Sequence, residues 1–121
     1  MKSGEIRLEK PEGGPAVLTV HGEHDLHTAP EMRRRIDELI EAGEPVVVDL
    51  SPATFVDSSI LGVLLDGRRR AADAGIAFSV AQADGAVAVS RVLQVTGLRE
   101  ELPVHETLEQ ALSEAAKGVA G

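Results

Sequence analysis

The sequence contains no cysteine, tryptophan or tyrosine, and its only aromatic side chains are those of Phe55 and Phe78. Without cysteine, the chain has no disulfide, thiol nucleophile or cysteine-ligated zinc. With so few aromatic rings and a formal net charge of −8 at pH 7, it offers neither a platform for stacking bases nor a counter-charge for a phosphate backbone. We therefore expect no nucleic-acid binding.

Long apolar runs are also missing. No stretch reaches the roughly 18 apolar residues that a membrane-spanning helix needs. The first ten residues, MKSGEIRLEK, alternate charged and apolar side chains and lack the apolar segment of a signal peptide. We expect a cytoplasmic protein with no direct membrane insertion. The 121 residues are enough for one domain with an aliphatic core, predicted over 1–121 with the core at about 5–116.

Strand and helix patterns alternate along the chain. Apolar periodicity and turn residues predict strands over 5–9, 16–22, 45–50, 76–82 and 101–105, and helices over 28–42, 58–74, 85–96 and 107–115. Thr28 and Glu31 have the spacing of a capping box at the start of the first helix. The order β-β-α-β-α-β-α-β-α favours parallel pairing through right-handed crossovers. The sequence thus predicts an α/β fold, a mixed and mostly parallel sheet with helices packed on it.

The stretch TFVDSSILGV, residues 54–63, places Asp57, Ser58 and Ser59 together ahead of an aliphatic helix. It follows a predicted loop at a strand end, where the sites of open α/β sheets gather. Asp57 or Ser58 is a good N-cap. A nucleophilic serine would need a nearby base, and no histidine has a spacing that ties it to Ser58. A helix N-terminus can also receive a phosphate on an adjacent hydroxyl. These three interpretations remain open on the residue pattern alone.

Four stretches resemble one known family. They are VHGEHDLHTAPEMRRRI at 20–36, VVVDLSPATFVDSSILGVLL at 46–65, AGIAFSVAQ at 74–82 and VSRVLQVTGLREELPVHETLEQAL at 89–112. In this order they resemble the STAS domain, specifically the bacterial anti-sigma factor antagonists, also called anti-anti-sigma factors. The second stretch is similar to the family's D-S-[ST]-G-L-G element. The resemblance implies a single STAS domain that performs no chemistry itself and needs no cofactor or metal.

The resemblance also implies a function. Such antagonists bind an anti-sigma factor that is a serine/threonine kinase, and this binding releases a sigma factor. The kinase inactivates its antagonist by phosphorylating the first serine of the motif, here Ser58, and a PP2C-type phosphatase restores it. The expected partner-binding residues are Asp25, Asp57, Ser58, Ser59 and Ile60. The alternative is a STAS adaptor subunit of a membrane transport complex, although the D-S-S motif on a short free-standing chain favours the antagonist.

Ile60 departs from the family pattern, and Asp25 has two interpretations. Ile60 stands where the family usually has glycine, and we expect its bulky side chain on the surface that the partner approaches. Asp25, in the GEHD stretch, either lies near Ser58 at the same sheet edge or shapes the turn before helix 28–42. The spacing of His21, His24 and His27 invites a metal site, but scattered histidines are the favoured interpretation.

Overall fold

The computed structural model describes residues 4–10, 14–82, 102 and 104–116. Its elements are β1 (Glu5–Glu9), β2 (Val17–His24), α1 (Ala29–Glu41), β3 (Val46–Asp49), β4 (Ala53–Val56), α2 (Ser58–Asp73), β5 (Phe78–Ala81), β6 (Val104–His105) and α3 (Leu108–Ala116). The predicted helix over 85–96 lies outside the described residues, as do positions 101 and 103 of the last predicted strand.

The sheet is mixed and mostly parallel, as predicted. Its strand order is β1-β2-β3-β5-β6, and β4 pairs with β2 beside that path. β1 and β2 form an antiparallel hairpin, whereas the other four pairings are parallel. Helices α1 and α2 make the crossovers that parallel neighbours require. The amino end of α2 consequently lies where β4 leaves the sheet.

Both faces of the sheet are covered, which explains the continuous apolar run of β3. Val46 and Val48 belong to the larger core cluster, together with buried residues of α1 and α2. Val47 points the other way and packs with Ala111 and Ala115 of α3. Successive strand side chains face opposite sides of a sheet, so a strand covered on both faces is apolar at every position.

The structure contains a strand that the sequence analysis did not predict. The predicted loop over 51–57 includes β4, which runs parallel to the far end of β2 with Cα partners Glu23–Phe55 and His24–Val56. β2 therefore extends two residues past its predicted end. This pairing holds the ends of β2 and β4 side by side, shortly before α1 and α2 begin.

The predicted capping box of α1 is wrong. Thr28 is the N-cap residue, but its side chain makes no capping hydrogen bond. Its hydroxyl oxygen instead accepts a hydrogen bond from the backbone N–H of Asp25 at 3.2 Å and lies 3.0 Å from Nδ1 of His24. Because these local contacts engage the hydroxyl, the spacing from Thr28 to Glu31 produces no reciprocal cap.

Candidate functional site

Asp57 caps the amino end of α2. Its backbone is extended, with φ −102° and ψ −177°. Its Oδ1 accepts hydrogen bonds from the backbone N–H of Ser59 at 3.0 Å and of Ile60 at 3.3 Å. The capping interpretation of the D-S-S stretch is therefore confirmed, with Asp57 as the cap. These N–H groups have no partner within the helix, so the cap stabilises its first turn.

The two serines of the motif differ in accessibility. The Ser59 side chain is half-buried, and its hydroxyl donates a 2.5 Å hydrogen bond to Oδ1 of Asp57. Ser58, the first residue of α2, is exposed. Its side chain makes no hydrogen bond within the described part of the chain. An approaching macromolecule thus meets the Ser58 hydroxyl first.

The cap carries a negative charge at neutral pH. Burial raises the pKa of the Asp57 carboxyl, but hydrogen bonds from the Ser59 hydroxyl and from the backbone N–H groups of Ile60, Ser59 and Leu26 outweigh it. The net effect is a pKa below the usual 3.8. The Ser58 hydroxyl therefore sits next in sequence to a carboxylate whose ionised form is stabilised by hydrogen bonds.

Asp25 shapes the turn that precedes α1. Its Oδ1 accepts a hydrogen bond from the backbone N–H of His27 at 2.9 Å, and its carbonyl oxygen accepts one from the N–H of Thr28 and one from that of Ala29, both at 3.0 Å. This is the local hydrogen bonding that aspartate offers in turns. The Asp25 side chain is nevertheless half exposed, so its charge faces solvent.

A backbone hydrogen bond joins the Asp25 turn to the start of α2. The backbone N–H of Asp57 donates to the carbonyl oxygen of His24 at 3.3 Å, and the backbone N–H of Leu26 is near enough to the Asp57 carboxylate to lower its pKa. The pairing of β2 with β4 brings these segments within reach of each other. The structure thus places the turn that carries Asp25 against the amino end of the helix that carries Ser58.

Ile60 is not on the surface, contrary to the expectation from its sequence position. Its side chain is fully buried in the larger core cluster, together with that of Leu64. Residues four apart share one face of a helix, and this face of α2 lies on the sheet. The expected contact between the Ile60 side chain and a partner is therefore wrong, since the isoleucine supplies core packing beneath the motif.

Two exposed apolar side chains beside the motif were not predicted from the sequence. Leu26 is 70% exposed and Phe55 is 41% exposed. Phe55 lies two residues before Asp57 along the chain, and the backbone N–H of Leu26 is near enough to the Asp57 carboxylate to lower its pKa. A leucine inside the polar stretch EHDLHT was a usable signal, because it has no apolar neighbours with which to form a buried face.

The three closely spaced histidines occupy different environments. His24 is 1% exposed, and its Nε2 lies 2.9 Å from the carbonyl oxygen of His21. His27 is exposed and pairs with Asp25 at 3.3 Å. Over residues 4–10, 14–82, 102 and 104–116, no three histidine or carboxylate side chains are grouped as metal ligands.

Comparison with known proteins identifies the family, since the STAS domain family matches residues 5–111. The chain belongs to the STAS domain family. This STAS domain is 31% identical over 103 residues to the anti-sigma F factor antagonist of Paenibacillus polymyxa, covering 84% of this chain and 86% of that protein. A crystal structure of an anti-sigma factor antagonist from Mycobacterium paratuberculosis superimposes with a TM-score of 0.81 at 29% identity, covering 94% of this chain and 95% of that one.

A more distant STAS domain confirms the architecture. SpoIIAA, an anti-sigma factor antagonist of Bacillus, has been solved in an unphosphorylated and a phosphorylated form. Its unphosphorylated form is 22% identical, covers 96% of this chain and 100% of its own, and gives a TM-score of 0.73. The phosphorylated form covers 90% of this chain and 97% of its own, with a TM-score of 0.66. These similarities show a shared fold.

Among the described residues, no helix combines the length and apolarity needed to cross a bilayer.

Proposed function

We propose that this STAS domain is an anti-sigma factor antagonist that phosphorylation of Ser58 switches off. It binds an anti-sigma factor that is also a serine/threonine kinase, and the binding releases a sigma factor. The names of its relatives support the regulatory class. The observation that carries the proposal is the exposed Ser58 hydroxyl, which stands beside the charged cap of α2.

The geometry favours Ser58 over Ser59 as the acceptor. In phosphoryl transfer, the acceptor oxygen attacks the γ-phosphorus of ATP, ADP leaves, and the hydroxyl proton passes to a base of the kinase. Ser58 presents its oxygen to solvent, whereas Ser59 would first have to break its bond to Asp57. A PP2C-type phosphatase reverses the change by adding water to the phosphoserine and releasing inorganic phosphate.

Phosphorylation acts through charge. A phosphoserine carries about −1.5 to −2 charges at neutral pH. Asp57 already occupies the N–H groups of Ser59 and Ile60, so two donors that would otherwise receive an anion are taken. Two unit charges about 4 Å apart repel by about 1 kcal/mol in water and by about 4 kcal/mol at an effective dielectric constant of 20. A partner that covers the site shields the phosphoserine and the Asp57 carboxylate from water, and it thereby strengthens the repulsion between them.

The proposed binding surface comprises Asp25, Asp57, Ser58 and Ser59. Asp25 and Asp57 supply negative charge, Ser58 is the modified residue, and Ser59 holds the cap. SpoIIAA, which shares the fold and occurs in a phosphorylated form, is consistent with a switch of this kind. The two relatives cited here are both named as anti-sigma factor antagonists, which favours this proposal over the transport-adaptor alternative.

The experiment that tests this proposal is a kinase assay read by mass spectrometry. The chain is incubated with ATP and each purified anti-sigma kinase of the organism that encodes it, alongside matched Ser58→Ala and Ser59→Ala variants. We expect one phosphate on the wild-type chain and on Ser59→Ala, and none on Ser58→Ala. A phosphate that persists on Ser58→Ala would place the acceptor elsewhere. If none of the kinases modifies or binds the wild-type chain, the proposed function is wrong.

A further inference from the structure

β1 is the last strand on one side of the sheet. Among the described residues it pairs with β2 alone, so the backbone groups along its other side have no strand partner there. An edge strand of this kind can pair with a strand of another chain. β1 is therefore able to accept a further strand.

Leu8 leaves an apolar side chain uncovered at this edge. Its Cα partner across the hairpin, Leu18, is 1% exposed. Ile6, which shares a face of β1 with Leu8, is also buried and belongs to the larger core cluster. Leu8 itself is 49% exposed. The apolar face of the sheet thus reaches its edge and ends there without a cover.

The charged residues of β1 alternate in sign along the other face. Glu5, Arg7 and Glu9 are exposed and point away from the side that carries Leu8. Charged side chains often protect an edge strand from pairing, but the order of these charges is self-complementary. When two copies of β1 run antiparallel with Leu8 opposite Leu8, each Arg7 lies opposite Glu9 of the other copy. Opposite charges directly across a strand pair stabilise the pair, whereas like charges destabilise it.

We propose that this chain forms a two-fold symmetric dimer through β1, with the two Leu8 side chains at its centre. A two-fold contact uses the same patch of both copies, and the two sheets join into one. Other registers fit less well. A register centred on Arg7 would place the two arginines opposite each other, and one centred on Ile6 would place Leu8 opposite Gly4.

The contacts that the charged residues make within one chain leave room for this pairing. Arg7 lies 3.0 Å from Glu5, and Oε1 of Glu9 accepts a hydrogen bond from the Thr19 hydroxyl at 2.7 Å. A guanidinium has five N–H donors and a carboxylate has two acceptor oxygens. Arg7 and Glu9 can therefore keep these partners and still meet across the dimer.

Sedimentation velocity of the wild-type chain tests the dimer. Two short strand edges bury less surface than a standard protein interface, so the dimer should be weak, and the concentration is varied from about 10 µM to about 1 mM. We expect the mean mass to rise with concentration from that of one chain towards that of two. A wild-type chain that stays monomeric at the highest concentration would overturn the inference.

Charge reversals locate the contact and its register. Arg7→Glu places like charges opposite each other at two positions and should keep the chain monomeric. Adding Glu9→Arg to the same chain restores opposite charges in the register centred on Leu8, but not in the one centred on Ile6, and should restore the dimer. Arg68→Glu is the matched control, because it makes the same change of charge at an exposed position of α2 and should dimerise like the wild type.

Leu8→Lys decides the question independently of Arg7 and Glu9. It places two ammonium groups at the centre of the contact and should also give a monomer. A dimer that Arg7→Glu or Leu8→Lys leaves intact would overturn the inference, since it would form through another surface, and so would a double variant that stays monomeric. All the substituted positions are exposed, so each variant should keep the wild-type circular dichroism spectrum. β1 carries none of the residues proposed to bind the anti-sigma factor, so the proposed function stands or falls separately.

Discussion

Replacing Asp57 with alanine tests whether the cap organises the site. The substitution removes the acceptor of the Ser59 and Ile60 N–H groups, and also the acceptor of the Ser59 hydroxyl. Loss of an N-cap costs about 0.5–2 kcal/mol, and one further hydrogen bond contributes about 1 kcal/mol. We therefore expect Asp57→Ala to lower the free energy of unfolding by about 2 kcal/mol.

Thermal and urea unfolding measure this loss. In a domain of this size, 1 kcal/mol corresponds to a shift in Tm of about 4 °C, so Asp57→Ala should unfold about 8 °C below the wild type. Asp57→Asn is the matched control, because asparagine keeps an acceptor oxygen at the N-cap and removes only the charge. Asp57→Asn should therefore lose less than half as much free energy of unfolding as Asp57→Ala.

The pH dependence isolates the contribution of the charge. Because folding lowers the pKa of Asp57, its ionised form stabilises the native state fully above the unfolded-state pKa of 3.8. This contribution disappears as the pH falls through the lower folded-state pKa. The stability difference between wild type and Asp57→Asn should therefore be largest near neutral pH and vanish in acid. An alanine variant as stable as the wild type would refute the argument, and so would a wild-type-to-asparagine difference that grows in acid.

Two further substitutions test the structure beneath and beside the motif. Ile60→Ala should lower the free energy of unfolding by about 2–5 kcal/mol, because it leaves a cavity in a fully packed core. Urea unfolding measures this change, and a free energy of unfolding equal to that of the wild type would mean that Ile60 is exposed. Gly4→Ala should lower the Tm clearly, since a Cβ at this position would lie 2.3 Å from Nε2 of the buried His24. An unchanged Tm would mean that Gly4 does not pack against His24.

The parts of the fold that were predictable from sequence depend on local signals. The β-branched run of β3 and the D-S-S start of α2 each predict their own element, and the structure confirms both. β4 carries no such signal. Its burial pattern is buried, exposed, exposed, buried, without the alternation of a half-buried strand. It is a strand because it pairs with the end of β2, and that pairing depends on the tertiary fold.

The residues of the candidate site likewise divide into those that a local sequence pattern predicts and those whose environment depends on the tertiary fold. Asp57 was predictable as a cap because aspartate before an aliphatic helix is a local pattern. The burial of Ile60 depends on which face of α2 meets the sheet, and a comparison of motifs does not supply that face. The unequal hydroxyls of Ser58 and Ser59 depend on where the Asp57 carboxylate points. The exposure of Leu26, by contrast, has a local signal, because this leucine stands in the polar stretch EHDLHT without apolar neighbours.

The most direct test of the account measures how phosphorylation of Ser58 changes affinity for the anti-sigma kinase. The chain is phosphorylated to completion, freed of kinase and ATP, and titrated beside the unmodified chain and Ser58→Asp, with Ser58→Ala as the uncharged control. We predict that the phosphorylated chain binds at least a hundredfold more weakly, that Ser58→Asp is weakened to a smaller degree, and that Ser58→Ala binds like the unmodified chain. Equal affinities of the phosphorylated and unmodified chains would contradict the central claim that negative charge at Ser58 switches off binding.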